Sequence, residues 1–364
     1  MSCPSLGPVR PAPFLDKPWT LTYYPPMAKG PPVVQGSMAS LTMEEVWSLY
    51  RDDLREIEAQ IQQHLDSPIP LINEIATHIL TGGGKRIRPL LLILCSRLGG
   101  IDPPGAFGLG SLIEFIHTAT LLHDDVLDEA DLRRGRDTAR RIWGNHTSIL
   151  IGDYLYSRAM QEIVAFQNHD INHVLSVACR KMAEGEILQL CANGKPVQNE
   201  TDYLQIIEYK TGALVAAACK VGAIIGGATA AQQKALYQFG MCLGIAFQLA
   251  DDRLDYTANR TRLGKTLGQD FMQGMVTLPL LHLLQFSSYD TRQDLLQKIK
   301  GGDLGEGELL DITNRMEHHG SLDYTMARSQ EYIDAALLTL DSFEDSTAKK
   351  SLAVVADYMV NRDL

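Results

Sequence analysis

The sequence predicts a single all-α domain. From Ala39 onward apolar residues recur with the helical period, alternating Val/Ile/Thr runs are scarce, and no repeat of fixed short period appears. Without strand-like alternation, no sheet is expected. A length of 364 residues usually suggests two domains, but one large helical domain accommodates it. Hydrophobic content of 45% is ample for a sizeable core.

Residues 1–38 differ from everything after them. Nine of the sixteen prolines fall there, so the segment is expected to be extended or disordered. It lacks the basic start and apolar run of a signal peptide, and it is poor in Arg and Ser for a transit peptide. It reads as an expression-derived leader with Met38 near the natural start, or else as a Pro-rich arm. Residues 39–364 form the expected domain. Within it, Thr42 and Glu45 have the spacing of a capping box at a helix start. Pro68 and Pro70 punctuate before a short helix. Gly82–Gly84 break the chain before an apolar helix from Lys85 to Leu98. A long apolar helix is predicted from about Phe107 to Leu127, with others over 147–167, 170–192, 201–227 and 230–256. Beyond 275 several more follow, with turns at Gly301-Gly302 and Gly320. Leu214 to Ala231, rich in Ala, Gly and Ile and interrupted by Lys220, reads as a close-packed core segment rather than a membrane span.

Charge and cysteine usage narrow the class. A net charge of −11 argues against a nucleic-acid partner, which would call for basic surface. It leaves an anionic substrate open, because bound divalent cations reverse the local field. The six cysteines show no CxxC or short pairing, as expected of small core residues in a reducing, cytoplasmic setting.

The chemistry concentrates in two acidic clusters. LLHDDVLDEADLRRG carries Asp124, Asp125 and Asp128 as DDxxD. On a helix Asp124 and Asp128 lie about 40° apart, with Asp125 flanking them. Three ionised carboxylates on one face repel one another unless something strongly positive sits between them. Oxygen-only ligands with an open shell suit Mg²⁺ shared with substrate phosphates. A solvated acidic face is the plainer explanation of one such motif. FQLADDRLDYT repeats the spacing with Asp251, Asp252 and Asp255, again after an apolar run. Two clusters facing one cavity would hold a diphosphate from two sides.

Basic residues supply the rest. GGGKRIRPL places Lys85, Arg86 and Arg88 beyond a glycine turn, where guanidinium forks can hold a diphosphate. The GxxxxGK[ST] spacing of a P-loop is missing. Arg133 and Arg134 precede Gly135; their plainer role is surface pairing with Asp128, Glu129 and Asp131. Lys210-Thr211 and Lys265 are isolated cationic positions near apolar helices.

GGGKRIRP, LLHDDVLDEADLRRG, YKTGAL and FQLADDRLDY, in this order, resemble the trans-isoprenyl diphosphate synthases, the polyprenyl synthetase family. The likeness spans about residues 43–364, and GNHTSILIGDYLYSRA and AEGEILQL strengthen it toward bacterial long-chain enzymes, the octaprenyl type in particular. The resemblance implies an isoprenoid synthase-like helical bundle around a deep central cavity, with both clusters at its mouth. It implies Mg²⁺ as cofactor, three ions with substrate bound, held by Asp124, Asp125, Asp128, Asp251, Asp252 and Asp255. It places Lys85, Arg88, His117 and Arg134 around isopentenyl diphosphate, and Arg133, Lys210 and Lys265 on an allylic (farnesyl or geranyl) diphosphate. Thr211 and Gln248 would stabilise the developing carbocation and position the substrate. A homodimer is implied, and a lipid product is compatible with peripheral membrane association.

Chain length is expected to be set beneath the first motif. Ala119 and Thr120, five and four residues before Asp124, are small where short-chain members resembling this family carry aromatics. A long product follows, with Met160 and Phe166 as candidates for a deeper floor. Two departures stand out. The family's GKxT step reads GMVT here, with Met275 in place of lysine, and Arg253 replaces an apolar residue inside the second motif. The expected reading is an active long-chain synthase supplying a quinone side chain. The alternatives are a farnesyl or geranylgeranyl synthase, a terpene cyclase, and a non-catalytic subunit of a heteromeric synthase. The second DDxxD counts against the cyclase.

Overall fold

Helices form where apolar residues recur on one face, and α-helical stretches that are apolar nearly all round, such as those within 87–98, 105–127 and 213–225, are buried over most of their length. The structure is a computed structural model that describes residues 41–80, 82–101, 105–192, 199–257, 268–301 and 306–361. The leader at 1–38 and Lys265 lie outside the described residues. The helices are α1 (Met43–Leu49), α2 (Arg51–His64), α3 (Pro70–Leu80), α4 (Ile87–Leu98), α5 (Gly105–Leu127), α6 (Ala139–Trp143), α7 (Asn145–Ala165), α8 (His169–Ala192), α9 (Glu200–Ile207), α10 (Ala213–Ile225), α11 (Ala230–Thr257), α12 (Gln269–Met272), α13 (Leu278–Phe286), α14 (Tyr289–Gly301), α15 (Glu306–His318), α16 (Ser321–Thr339) and α17 (Thr347–Asn361). Leu41–Leu364 makes one compact unit.

The predicted N-terminal cap is present. Glu45 N–H donates to Thr42 Oγ1 at 3.2 Å, and Thr42 N–H donates to Glu45 Oε2 at 2.7 Å. In α4 every residue from Pro89 to Ser96 is buried, and in α10 so is every residue from Ala213 to Ala223 except Lys220. These two helices cross closely. A Cβ on Gly222 would lie 2.2 Å from Leu92 O, and one on Gly226 would lie 2.1 Å from Ser96 O. That proximity is why the stretch after Leu214 is rich in small residues, and α10 spans only 13 residues before Gly226 ends it. Among the described residues one helix, α5, is long and apolar enough to cross a membrane, and it is packed against α2, α4 and α7. The 28-residue α11 packs on α10 and α16.

The expectation of no sheet needs a small correction. Leu132–Arg133 (β1) and Arg136–Asp137 (β2) pair antiparallel. Arg134 and Gly135 form the turn with φ of +53° and +74°, the two positive values that a type I′ hairpin requires. Strands this short carry no alternation to detect.

Candidate active site

Both acidic clusters sit at the wrong end of their helices. Asp124, Asp125 and Asp128 close α5, and Asp251, Asp252 and Asp255 close α11. A helix C-terminus carries partial negative charge, so carboxylates there are disfavoured until cations offset them. The six then divide. Asp125 is buried and accepts from Arg133 Nε at 2.8 Å; burial raises its pKa and Arg133 opposes the rise. Asp252 is buried and receives a hydrogen bond from the Tyr203 hydroxyl and one from Gln248 Nε2, the latter at 2.8 Å. Asp124, Asp128, Asp251 and Asp255 reach the surface side. Burial lifts Asp124 to about 7; Lys210 opposes this, and Glu186 and Asp128 add to it.

The cation answering Asp124 is Lys210. It lies in a π turn, Glu208–Gly212, between α9 and α10, an irregularity that concentrates at functional positions. The turn is pressed against its neighbours: a Cβ on Gly185 of α8 would stand 2.7 Å from Lys210 N. Lys210 Nζ lies 2.7 Å from Glu186 Oε1 and donates to Gln189 Oε1 at 3.3 Å. Burial lowers its pKa, but Glu186 and Asp124 more than compensate, so the net shift is upward. The adjacent Thr211 hydroxyl donates to Gln248 Oε1 at 2.8 Å. Thr211, Gln248 and Asp252 therefore form one chain whose donors all run toward the carboxylate, with Tyr203 donating from the far side.

A second cationic group gathers where α4 begins. Arg86, with φ of +46°, is held by Glu58 at 2.6 Å, Glu114 at 2.7 Å and Leu80 O at 2.6 Å. It is a structural ion pair rather than a substrate ligand. Arg88 is different, because its Nε is buried with no hydrogen-bond partner among the described residues. Burial lowers its pKa, with Arg134 adding to that and Glu114 and Asp251 opposing it. His117 is driven well below its usual value by burial and by Arg88, Arg134, Arg133 and Arg86, so it is neutral near pH 7. Lys85 hydrogen-bonds to the Tyr358 hydroxyl of α17, with Nζ 4.7 Å from the ring centroid. Arg88 and Arg134, with neutral His117 beside them, make a partly buried site of excess positive charge that an anion would relieve.

The structure therefore brings the sequence-predicted residues into two connected groups. Lys210 links the end of α5 to Thr211 and, through Gln248, to the end of α11, and the charge of Asp251 acts on Arg88. Arg133 takes Asp125 rather than the suggested surface carboxylates, while Arg140 takes Asp131 at 2.9 Å. Met275 Sδ accepts from Gln189 Nε2 at 2.9 Å. Arg253 does not pair with Asp252, whose oxygens are already occupied, and its Nε is buried without a hydrogen-bond partner among the described residues. Ala119 is buried in the core, and the Thr120 hydroxyl turns back to His117 O at 2.8 Å. Phe166 packs over the start of α5, where Cβ atoms on Gly105 and Gly108 would lie 3.0 and 3.3 Å from its ring. Tyr203, Glu114, Gln189 and Tyr358 were not anticipated from the sequence. Only Gln189 had a signal there, as the residue three after Glu186 in AEGEILQL.

Among the described residues, no three His, Cys, Asp or Glu side chains converge on one point. The donor set nevertheless fits a hard divalent cation that takes part of its shell from substrate oxygens, because it consists of carboxylates, and burial disfavours the charge on Asp124, Asp125 and Asp252 until a cation offsets it.

A mainly helical bundle in which two carboxylate-ended helices lie beside lysine and arginine groups is suited to holding diphosphates through a divalent cation. The polyprenyl synthetase family model matches residues 69–316. The octaprenyl diphosphate synthase of Escherichia coli is 39% identical over 323 residues, which cover 89% of this chain and 100% of that one. A polyprenyl synthase from Caulobacter crescentus, solved with calcium and isoprenyl diphosphate, superposes with a TM-score of 0.84 at 36% identity, covering 90% of this chain and 99% of that one. A decaprenyl diphosphate synthase from Rhodobacter capsulatus gives 0.83 at 38% identity, covering 87% and 98%. The chain belongs to the polyprenyl synthetase family, and it is a prenyltransferase.

Proposed function

We propose that the protein is a long-chain trans-polyprenyl diphosphate synthase. It joins isopentenyl diphosphate head to tail onto a farnesyl or geranyl diphosphate, with an octaprenyl product destined for quinone side chains. The observation that carries the reading is the pairing of two carboxylate-ended helices with two separate cationic groups, one around Lys210 and one around Arg88. Two substrates, each with a diphosphate, need two such groups.

Asp124, Asp128, Asp251 and Asp255 would hold Mg²⁺, three ions with substrate bound, with Asp125 and Asp252 of the same set fixed by Arg133, Tyr203 and Gln248. Bound metal would supply positive charge to the leaving diphosphate. Lys210 and Arg133, with Lys265, hold the allylic diphosphate and stabilise the charge that grows on it as the C–O bond breaks. Arg88, Arg134, Lys85 and neutral His117 hold isopentenyl diphosphate with its double bond toward the allylic carbon. The Thr211 hydroxyl and Gln248 amide present fixed dipoles to the developing cation. The proton lost after bond formation goes to the departing diphosphate, so no dedicated base is required. Each cycle adds five carbons, and the tail descends past Ala119 and Thr120. A cytoplasmic homodimer with peripheral membrane contact during product release completes the proposal.

Two-substrate kinetics test the assignment. Arg88→Met is expected to raise KM for isopentenyl diphosphate by about tenfold or more, the value of a charged hydrogen bond, with KM for farnesyl diphosphate little changed. Asp251→Ala is expected to abolish turnover. Equal movement of both KM values in Arg88→Met contradicts separate diphosphate sites.

A further inference from the structure

We propose that Gln189 is a positioning residue for Lys210, and that Met275 sets the direction in which the Gln189 amide points. This rests on the reading that Lys210 holds the allylic diphosphate.

A lysine ammonium is a point charge on a flexible four-carbon stem, so its usefulness depends on what fixes it. Here two oxygens three residues apart on α8 do so, Glu186 Oε1 at 2.7 Å and Gln189 Oε1 at 3.3 Å. A primary amide has one accepting and one donating end. The donating end of Gln189, Nε2, is taken up by Met275 Sδ at 2.9 Å. A thioether accepts weakly and cannot donate, so it accommodates only the NH₂ end and leaves the carbonyl oxygen facing Lys210. A lysine at position 275 would do the reverse. It would compete for the same Gln189 oxygen and set a second positive charge beside Lys210. Met275 thus exchanges a second cation for one cation firmly held. Because Gln189 is neutral, it orients Lys210 without cancelling the charge left for a diphosphate, which Glu186 already offsets in part.

The test is a double-mutant cycle in steady-state kinetics with Mg²⁺, farnesyl diphosphate and isopentenyl diphosphate, using Met275→Leu, Gln189→Leu, the double variant and Lys210→Ala. Met275→Leu keeps the volume and removes the sulfur. Gln189→Leu is expected to raise KM for farnesyl diphosphate by about fivefold, the worth of one ordinary hydrogen bond. Met275→Leu is expected to raise it about twofold, and the double variant to match Gln189→Leu alone, because Met275 acts only through Gln189. KM for isopentenyl diphosphate is expected to stay unchanged throughout, which also shows that the variants are folded. Independent effects that multiply, or both KM values rising together, overturn the relay in favour of simple packing. If Lys210→Ala leaves the farnesyl diphosphate KM unaltered, the underlying reading of Lys210 fails, and the relay with it. If Lys210→Ala raises that KM while Gln189→Leu does nothing, only the relay fails.

Discussion

Asp124 combines three penalties: partial burial, a like-charged neighbour in Asp128, and a place at the negative end of α5. Its folded pKa of about 7 lies above the unfolded 3.8, so the metal-free folded state holds the proton longer than the unfolded chain. The contribution of this group to stability is therefore fully present below pH 3.8 and is lost as pH rises toward 7. Metal-free Asp124→Asn is expected to gain stability over wild type across that range. The gain should reach on the order of 1–3 kcal/mol at pH 8 and nearly vanish at pH 4. Thermal melts of the two proteins in chelator at several pH values measure it, and a pH-independent difference contradicts the assigned shift. Arg86 tests the opposite case, a cation whose partners are already in place. Arg86→Met should cost about 3 kcal/mol or more, because Glu114 is left in the interior without its partner; denaturant unfolding reads this directly. The charged residues of both clusters were legible because spacing along one helix sets which side chains share a face. Tyr203 and Tyr358 were not, because they arrive from separate helices and nothing near them in sequence marks a partner.

At the scale of elements, the site depends on helices approaching more closely than side chains normally allow. Gly185 lets α8 press on the π turn that carries Lys210 and Thr211, and Gly222 lets α10 cross α4. Gly222→Ala would set a methyl 2.2 Å from Leu92 O, a backbone atom, and is expected to destabilise the fold by about 3 kcal/mol. Gly185→Ala should act mainly on function, displacing Lys210 and raising KM for the allylic diphosphate with a smaller loss of thermal stability. A lower melting temperature with unchanged KM would contradict that role. The positions of the long helices were readable because apolar periodicity survives burial. The π turn lies within a single helix by sequence, since one extra residue in one turn carries no composition signal and Glu208 to Thr211 are only half-buried before the buried face of α10 begins. The β1–β2 hairpin was unreadable because two residues make no pattern, although the Arg-Gly at its tip is where positive φ values are needed.

Across the whole molecule, the helices form one compact unit in which α5 runs from Phe166 at one end to the carboxylates at the other. Gly108 and Asp124 are sixteen residues apart on it, a rise of about 24 Å. That length suits a long tail only if the side chains beneath Asp124 stay small. Ala119→Phe is expected to shorten the products to a few isoprene units while isopentenyl diphosphate is still consumed. Long-chain synthesis is measured by incubating the purified protein with Mg²⁺, farnesyl diphosphate and labelled isopentenyl diphosphate, then resolving the dephosphorylated products by length. A long-chain synthase gives a ladder ending near eight isoprene units, absent in Asp124→Ala. A ladder that stops at three or four units, or no incorporation by the wild-type protein, contradicts long-chain synthesis.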